Sequence, residues 1–213
     1  MSRKEIEAKP VRPHPKRRAT NERSRPSRMM LAAAVVGLAA LAITFVLLGR
    51  GQQASAPTAS QMNKPAPAFD ERDVITGKTI SSESLRGKNV LLFFSEGAAC
   101  APCLQQIQAL EQRAADLKQR ELVLVSVTND EAGVARQAAQ TYRITTPLVA
   151  DEDRDMSGAY DVLGQGMHPN QAGHTFILVD RQGVIRWRRD YWIGSAPTMY
   201  VKPDELFADI PNL

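Results

Sequence analysis

The 213-residue chain is poor in cysteine, with only Cys100 and Cys103. Any disulfide within the chain must therefore join this one pair. A ring of about four residues is worth only ~2 kcal/mol on the chain-entropy model. A structural staple would close a longer loop, whereas a short ring suits a bond that is made and broken. Positive charge is also scarce outside one end. Residues 1–28 hold ten Lys/Arg against three acids, which leaves 17 basic and 20 acidic residues for the rest of the chain. A basic nucleic-acid footprint on the folded part is thereby excluded. The acidic run Asp151-Glu152-Asp153-Arg154-Asp155 lacks the glycine spacing of a calcium loop, so helix-start carboxylates explain it better. No internal repeat is present.

What the chain does have is one long apolar run. Met29 to Leu48 is twenty residues without a charge, about the 30 Å needed to cross a hydrocarbon core as a helix. Basic residues precede it and only Arg50 follows closely. The positive-inside rule then predicts a basic cytoplasmic tail (1–28), a transmembrane anchor in membrane lipid (29–48) and an extracytoplasmic remainder. A cleaved signal peptide competes, with Ala54-Ser55-Ala56 as an A-x-A site. The length of the run and of its basic leader favour an uncleaved anchor. Arg17-Arg18 lies too far from the run to act as a twin-arginine signal. Residues 49–66, rich in Gly, Gln, Ala, Ser and Pro, read as a flexible linker. The folded domain is expected over 67–213, in a compartment where disulfides persist.

Within that domain, Phe69 to Ile80 predicts a two-stranded piece with a Thr76-Gly77 turn. Ser81 to Gly87 predicts a short helical turn, and Val90–Phe94 a strand covered on both faces. Leu104, Ile107, Leu110, Ala114 and Leu117 make one helical stripe ending near Lys118. Pro102 belongs in a first turn. Cys100 is therefore expected at the N-cap and Cys103 one turn in. There the unpaired N–H groups and the positive dipole end favour a thiolate at Cys100, open to an incoming partner. Cys103 would be the resolving thiol. Glu121–Thr128 predicts a second strand, Asn129-Asp130 the cap of a helix over 131–142, and Thr146–Ala150 an extended piece. A helix through Met156 to Val162 follows. Thr175–Asp180 and Val184–Arg188 predict a hairpin, with Ile185 and Trp187 on its buried face and Arg186 and Arg188 on its wet one. Lys202-Pro203 starts a last helix. The element order implies an α/β domain whose mixed central sheet has helices on both faces.

An apolar strand, then a CxPC helix, then Thr175-Phe-Ile-Leu-Val-Asp180 with its glycine turn resembles the thioredoxin-like fold. The leader Ala66-Pro-Ala-Phe69, Gly77-Lys-Thr79 and Leu85-Arg-Gly87-Lys88 resembles the redoxin branch of that superfamily. The branch holds membrane-tethered thiol–disulfide oxidoreductases and the alkyl hydroperoxide reductase/thiol-specific antioxidant group. The tethered reductases usually carry a Trp before the first Cys and a cis-proline before the third core strand. This chain has Ala99 and His174 there. The peroxiredoxins usually carry a Thr three residues before the reactive Cys and an Arg near the His174 position. This chain has Gly97 and His174 there.

The expected function is a membrane-anchored thiol–disulfide oxidoreductase acting on protein or small-molecule thiols and disulfides, recycled by a membrane or soluble redox partner. No cofactor and no resident metal are expected. Peroxide reduction is the alternative. A Cu(I) chaperone using Cys100, Cys103 and His174 ranks below it, because the resembling copper chaperones space their cysteines CxxxC. His174 is a candidate base or thiolate partner; the competing reading leaves its ring in solvent or bonded to backbone. Glu96 is a candidate proton relay, set against a solvated loop carboxylate. His168 reads as structural or exposed. Tyr191, Trp192 and Tyr200 suit either a substrate surface or the core.

Overall fold

The structure is a computed structural model that describes residues 61–193 and 196–213. The basic tail, the anchor over 29–48 and residues 49–60 of the linker lie outside the described residues. Among the described residues no helix is long and apolar enough to cross a membrane.

The chain enters through an antiparallel pair, β1 (Asp70–Arg72) and β2 (Thr79–Ser81). Asp73 closes the turn between them, accepting from the N–H groups of Ile75 and Thr76 and from the Thr76 hydroxyl. Those bonds hold its carboxyl below the usual range, against a burial that raises it. The expected helical turn over 81–87 is a run of plain turns. Its end at Gly87 has φ of 78°, which a residue with a Cβ rarely adopts.

Five strands form the main sheet in the order β5-β4-β3-β6-β7. They are β3 (Asn89–Ser95), β4 (Leu122–Thr128), β5 (Leu148–Ala150), β6 (Thr175–Val179) and β7 (Ile185–Asp190). β3, β4 and β5 are parallel, and β6 pairs antiparallel with both β3 and β7. Every residue of β3 is buried because both faces are covered. Leu91 and Phe93 face α1 (Ala101–Glu111), α2 (Ala114–Gln119), α3 (Ala132–Tyr142) and α5 (Pro203–Asp209). Val90, Leu92 and Phe94 face α4 (Asp155–Ala159) and the side chains of Ile80 and Leu85. The expected α/β sheet with helices on both faces is present.

Three local expectations fail for identifiable reasons. The Cys100 helix stops at Glu111 and restarts as α2. Arg113 between them leaves helical backbone (φ −102°, ψ 32°), and its guanidinium pairs with Asp116 and Asp204. The helix expected to run to Val162 shrinks to the five residues of α4. Asp151, 1% exposed, starts it by accepting from the N–H groups of Met156 and Ser157, the helix-start role expected of the acidic run. On β7 the pairing shifts between Leu178 and Val179. This irregularity puts Ile185 in one core and Trp187 against the other, inverting the alternation beyond it. Arg188 is therefore buried, not wet. It donates to the carbonyls of Tyr160 and Asp161 and pairs with Asp190.

Candidate active site

Strand β3 delivers the chain to the site. After Ser95 and Glu96 a single 3₁₀ turn, Gly97–Ala99, leads to Cys100, the N-cap of α1. Pro102 sits in the first turn, where its missing N–H costs nothing. Cys100 and Cys103 are joined by a disulfide. Cys103 N–H, which donates to the Cys100 carbonyl at 3.0 Å, also donates to the Cys100 sulfur at 3.2 Å, so this sulfur sits at the helix start as the spacing implies.

The openness expected of Cys100 is not met in this oxidised form. Cys100 is 3% exposed and Cys103 0%, although Ala99, Ala101 and Pro102 around them are exposed. Both cysteines belong to the buried cluster that includes Leu104 and Phe93.

His174 directly precedes β6. Thr175 pairs with Phe94, so His174 stands one residue beyond, at the sheet end where β3 gives way to the Cys100 turn. Its ring is 0% exposed and packs edge-on against Phe93 at 4.7 Å and Phe176 at 5.6 Å. Neither ring nitrogen has a hydrogen-bond partner, a sulfur included. Burial pushes its pKa down to about 3. The competing sequence reading needs correction: the ring is neither in solvent nor bonded to backbone. It is a neutral imidazole in an aromatic pocket.

Glu96 is likewise not a solvated carboxylate, being 3% exposed. Its Oε1 accepts from the N–H groups of Met167 and His168, and its Oε2 lies 3.2 Å from His168 Nδ1. Glu96 thus ties the segment before β6 to the end of β3. A side chain on Gly166 would meet Glu96 Oε1 at 2.4 Å, so only glycine lets the loop come this close. His168, whose side chain is 54% exposed, is both exposed and structural.

Asn129 and Asp130 do not cap α3. Glu131 stands at that cap without a side-chain bond, and Glu152 reaches in to accept Ala132 N–H at 2.7 Å. Asn129 instead accepts from Ala172 N–H at 2.7 Å and donates to Asp151 and Ser157. Asp130 accepts from Ala98 N–H at 2.8 Å, inside the turn leading to Cys100. Only their place at the carboxyl end of a parallel strand hinted at a role beyond capping. Of the three aromatics held open between substrate surface and core, Tyr191 and Trp192 pack on the core, while Tyr200 is 37% exposed.

Comparison with known proteins agrees with this geometry. A family model described as the AhpC/TSA family matches residues 62–188, more than half of the chain. Peroxiredoxin Q of the chloroplast from Triticum aestivum is 26% identical over 165 residues, covering 75% of each chain. The thiol-disulfide oxidoreductase ResA of Bacillus subtilis (strain 168) is 33% identical over 98 residues, 46% of this chain and 54% of the relative. Among solved structures, the peroxidoxin BcpB of Mycobacterium tuberculosis superposes with a TM-score of 0.58 at 18% identity. It covers 70% of this chain and 95% of its own, a likeness of fold. With a disulfide-forming cysteine pair at the head of α1 and this match, the chain belongs to the AhpC/TSA family and is a thiol oxidoreductase of thioredoxin-like fold.

Proposed function

We propose that the protein is a dithiol–disulfide exchanger, held by residues 29–48 in a cell membrane with its redox domain outside the cytoplasm. The observation that carries the exchange reading is the Cys100–Cys103 bond itself: attacking and resolving sulfurs are neighbours on one helix turn. In the reduced chain the Cys100 thiolate attacks one sulfur of a substrate disulfide. A Cys100–substrate bond forms and the other substrate thiolate leaves. Cys103, having released its proton, attacks the Cys100 sulfur. The internal disulfide closes, the second substrate thiolate leaves and takes up a proton, and two electrons have passed to substrate. A thiol or dithiol partner returns them by the reverse path. Phe93 and Phe176, against which His174 packs, share the buried cluster of the pair. The uncharged run over 29–48, basic residues before it, supports the anchor and orientation.

Replacing Cys103 by Ser tests this. Cys103→Ser is expected to accumulate mixed disulfides through Cys100 and to lose turnover; a variant that forms no adducts and turns over normally would remove Cys103 from the resolving role.

Peroxide reduction is the second reading, favoured by the match to a peroxiredoxin over 75% of both chains. There the Cys100 thiolate attacks the O–O bond, leaving a sulfenic acid and an alcohol or water. Cys103 then condenses with it and releases water. Against this stands Gly97, in the slot where the resembling peroxidases carry Thr. A Cβ there would fall 1.9 Å from Asp130 Oδ2, at a φ of 75°. Stopped-flow oxidation of the reduced chain by hydrogen peroxide separates the two readings. The exchange reading expects slow loss of thiol, and fast peroxide-specific loss would reverse the order.

A further inference from the structure

We propose that Asp130 is a positioning residue for Cys100, its carboxylate fixing the turn that presents the sulfur and its charge restraining that sulfur's ionisation. Asp130 Oδ2 accepts Ala98 N–H at 2.8 Å. The carbonyl of that same Gly97–Ala98 peptide unit accepts Cys100 N–H at 2.9 Å. One peptide group therefore has the carboxylate at its donor end and the cysteine amide at its acceptor end. Hydrogen bonds in such a chain polarise one another, and a charged acceptor makes the stronger bond.

The contact is built from both sides. Gly97 has positive φ, and any Cβ on it would fall 1.9 Å from Asp130 Oδ2 and 3.0 Å from Thr128 Cβ. The absence of a side chain at 97 is what admits the carboxylate. On the other side, Asp130 follows an immobilised residue. Asn129 is bonded to Ala172, to the carbonyl and carboxylate of Asp151, and to Ser157. The carboxylate is thus held on a rigid strand end, within about three residues' reach of the Cys100 backbone.

The N-terminus of α1 favours a Cys100 thiolate. A carboxylate one peptide unit away opposes it. The other titratable groups at this end of the sheet include Glu96 with its partner His168, the buried His174, Asp151 bonded to Asn129, Asp190 and Tyr191 beside the start of β6, and Glu131 and Glu152 at the head of α3. Among the described residues' hydrogen bonds, only Asp130 has a side-chain bond to the 97–99 turn. Net restraint of the thiolate keeps Cys100 a better nucleophile and the disulfide less oxidising than the helix end alone would make them.

The inference rests on the exchange reading in taking Cys100 as the reacting sulfur. Its test uses the full chain in a Cys103→Ser background, where the Cys100 thiolate is followed by absorbance against pH. Asp130→Asn keeps an acceptor for Ala98 N–H and removes the charge. The apparent Cys100 pKa should fall by about half a pH unit. Gly97→Ala, which displaces the carboxylate from the other side, should move it the same way. In the two-cysteine chain, Asp130→Ala should also slow disulfide closure by roughly threefold, because the turn loses its tether. An unchanged or raised Cys100 pKa in both Asp130→Asn and Gly97→Ala overturns the proposal. If Cys103→Ser traps no substrate but the pKa still shifts, the exchange reading falls and the role of Asp130 stands.

Discussion

Two segments meet at the carboxyl end of β3, and they are held in different ways. The Cys100 turn is mostly local: N-cap sulfur, first-turn proline and disulfide lie within four residues, and among the described residues its one distant side-chain tether is Asp130, 32 residues on. The segment before β6, ending in His174, is held from afar. Glu96 reaches it across 71 residues of sequence and Asn129 across 43. On the exchange reading the cysteine turn supplies the chemistry, while the His174 ring, packed on Phe93 and Phe176, keeps two unpartnered nitrogens. A short-range motif can thus specify a reactive group, while its surroundings depend on buried polar side chains elsewhere in the chain.

The largest effect should come from cutting the long-range tie. Glu96→Ala leaves the N–H groups of Met167 and His168 without their acceptor and should lower unfolding stability by about 3 kcal/mol. Glu96→Gln, which keeps one acceptor, should cost less than half of that. Denaturant unfolding of the two variants checks both. Equal costs would mean that the charge, and not the tether, matters.

The next effect is pH-dependent. His174 sits at about 3 when folded and near the ordinary histidine value of about 6.5 when unfolded. The unfolded chain therefore binds the extra proton first. Stability from the neutral ring is complete above pH 6.5 and declines as pH falls from there towards 3, by up to about 1.4 kcal/mol per pH unit. His174→Phe should flatten the decline between pH 6.5 and 5, above the carboxylate range. An unchanged slope would place a different group in control.

A smaller effect is expected in the local turn. Gly97→Ala imposes a Cβ at positive φ and crowds Asp130, and should destabilise by roughly 1–2 kcal/mol. Smaller still, His168→Ala should cost under about 1 kcal/mol, since its half-exposed ring adds one contact to a carboxylate already bonded to two amides. Thermal unfolding of both variants ranks them; a His168→Ala cost above that of Gly97→Ala would reverse the order.

The local features were legible in the sequence because they obey short-range rules. The uniformly apolar Val90–Phe94, the i/i+3/i+4 stripe from Leu104 to Leu110 and the Pro102 position each imply one backbone state. The rest turned on distant partners. Asn129 and Asp130 look like a helix cap next to residue 131, and nothing local says that their side chains turn to Ala172 and Ala98 instead. Arg188 reads as wet until the irregularity beside it is known. Glu96 lies where a loop carboxylate would be solvated, and it is buried because two glycines, Gly166 and Gly173, let the segment before β6 fold tightly over it.

The central claim is that the Cys100–Cys103 bond cycles. The most direct measurement is its midpoint potential in the full chain, set by thiol–disulfide buffers and read by intact mass. A reversible two-electron couple is expected between about −120 and −270 mV, the range of working dithiol proteins. A bond resisting reduction below about −300 mV, as structural disulfides do, would contradict it.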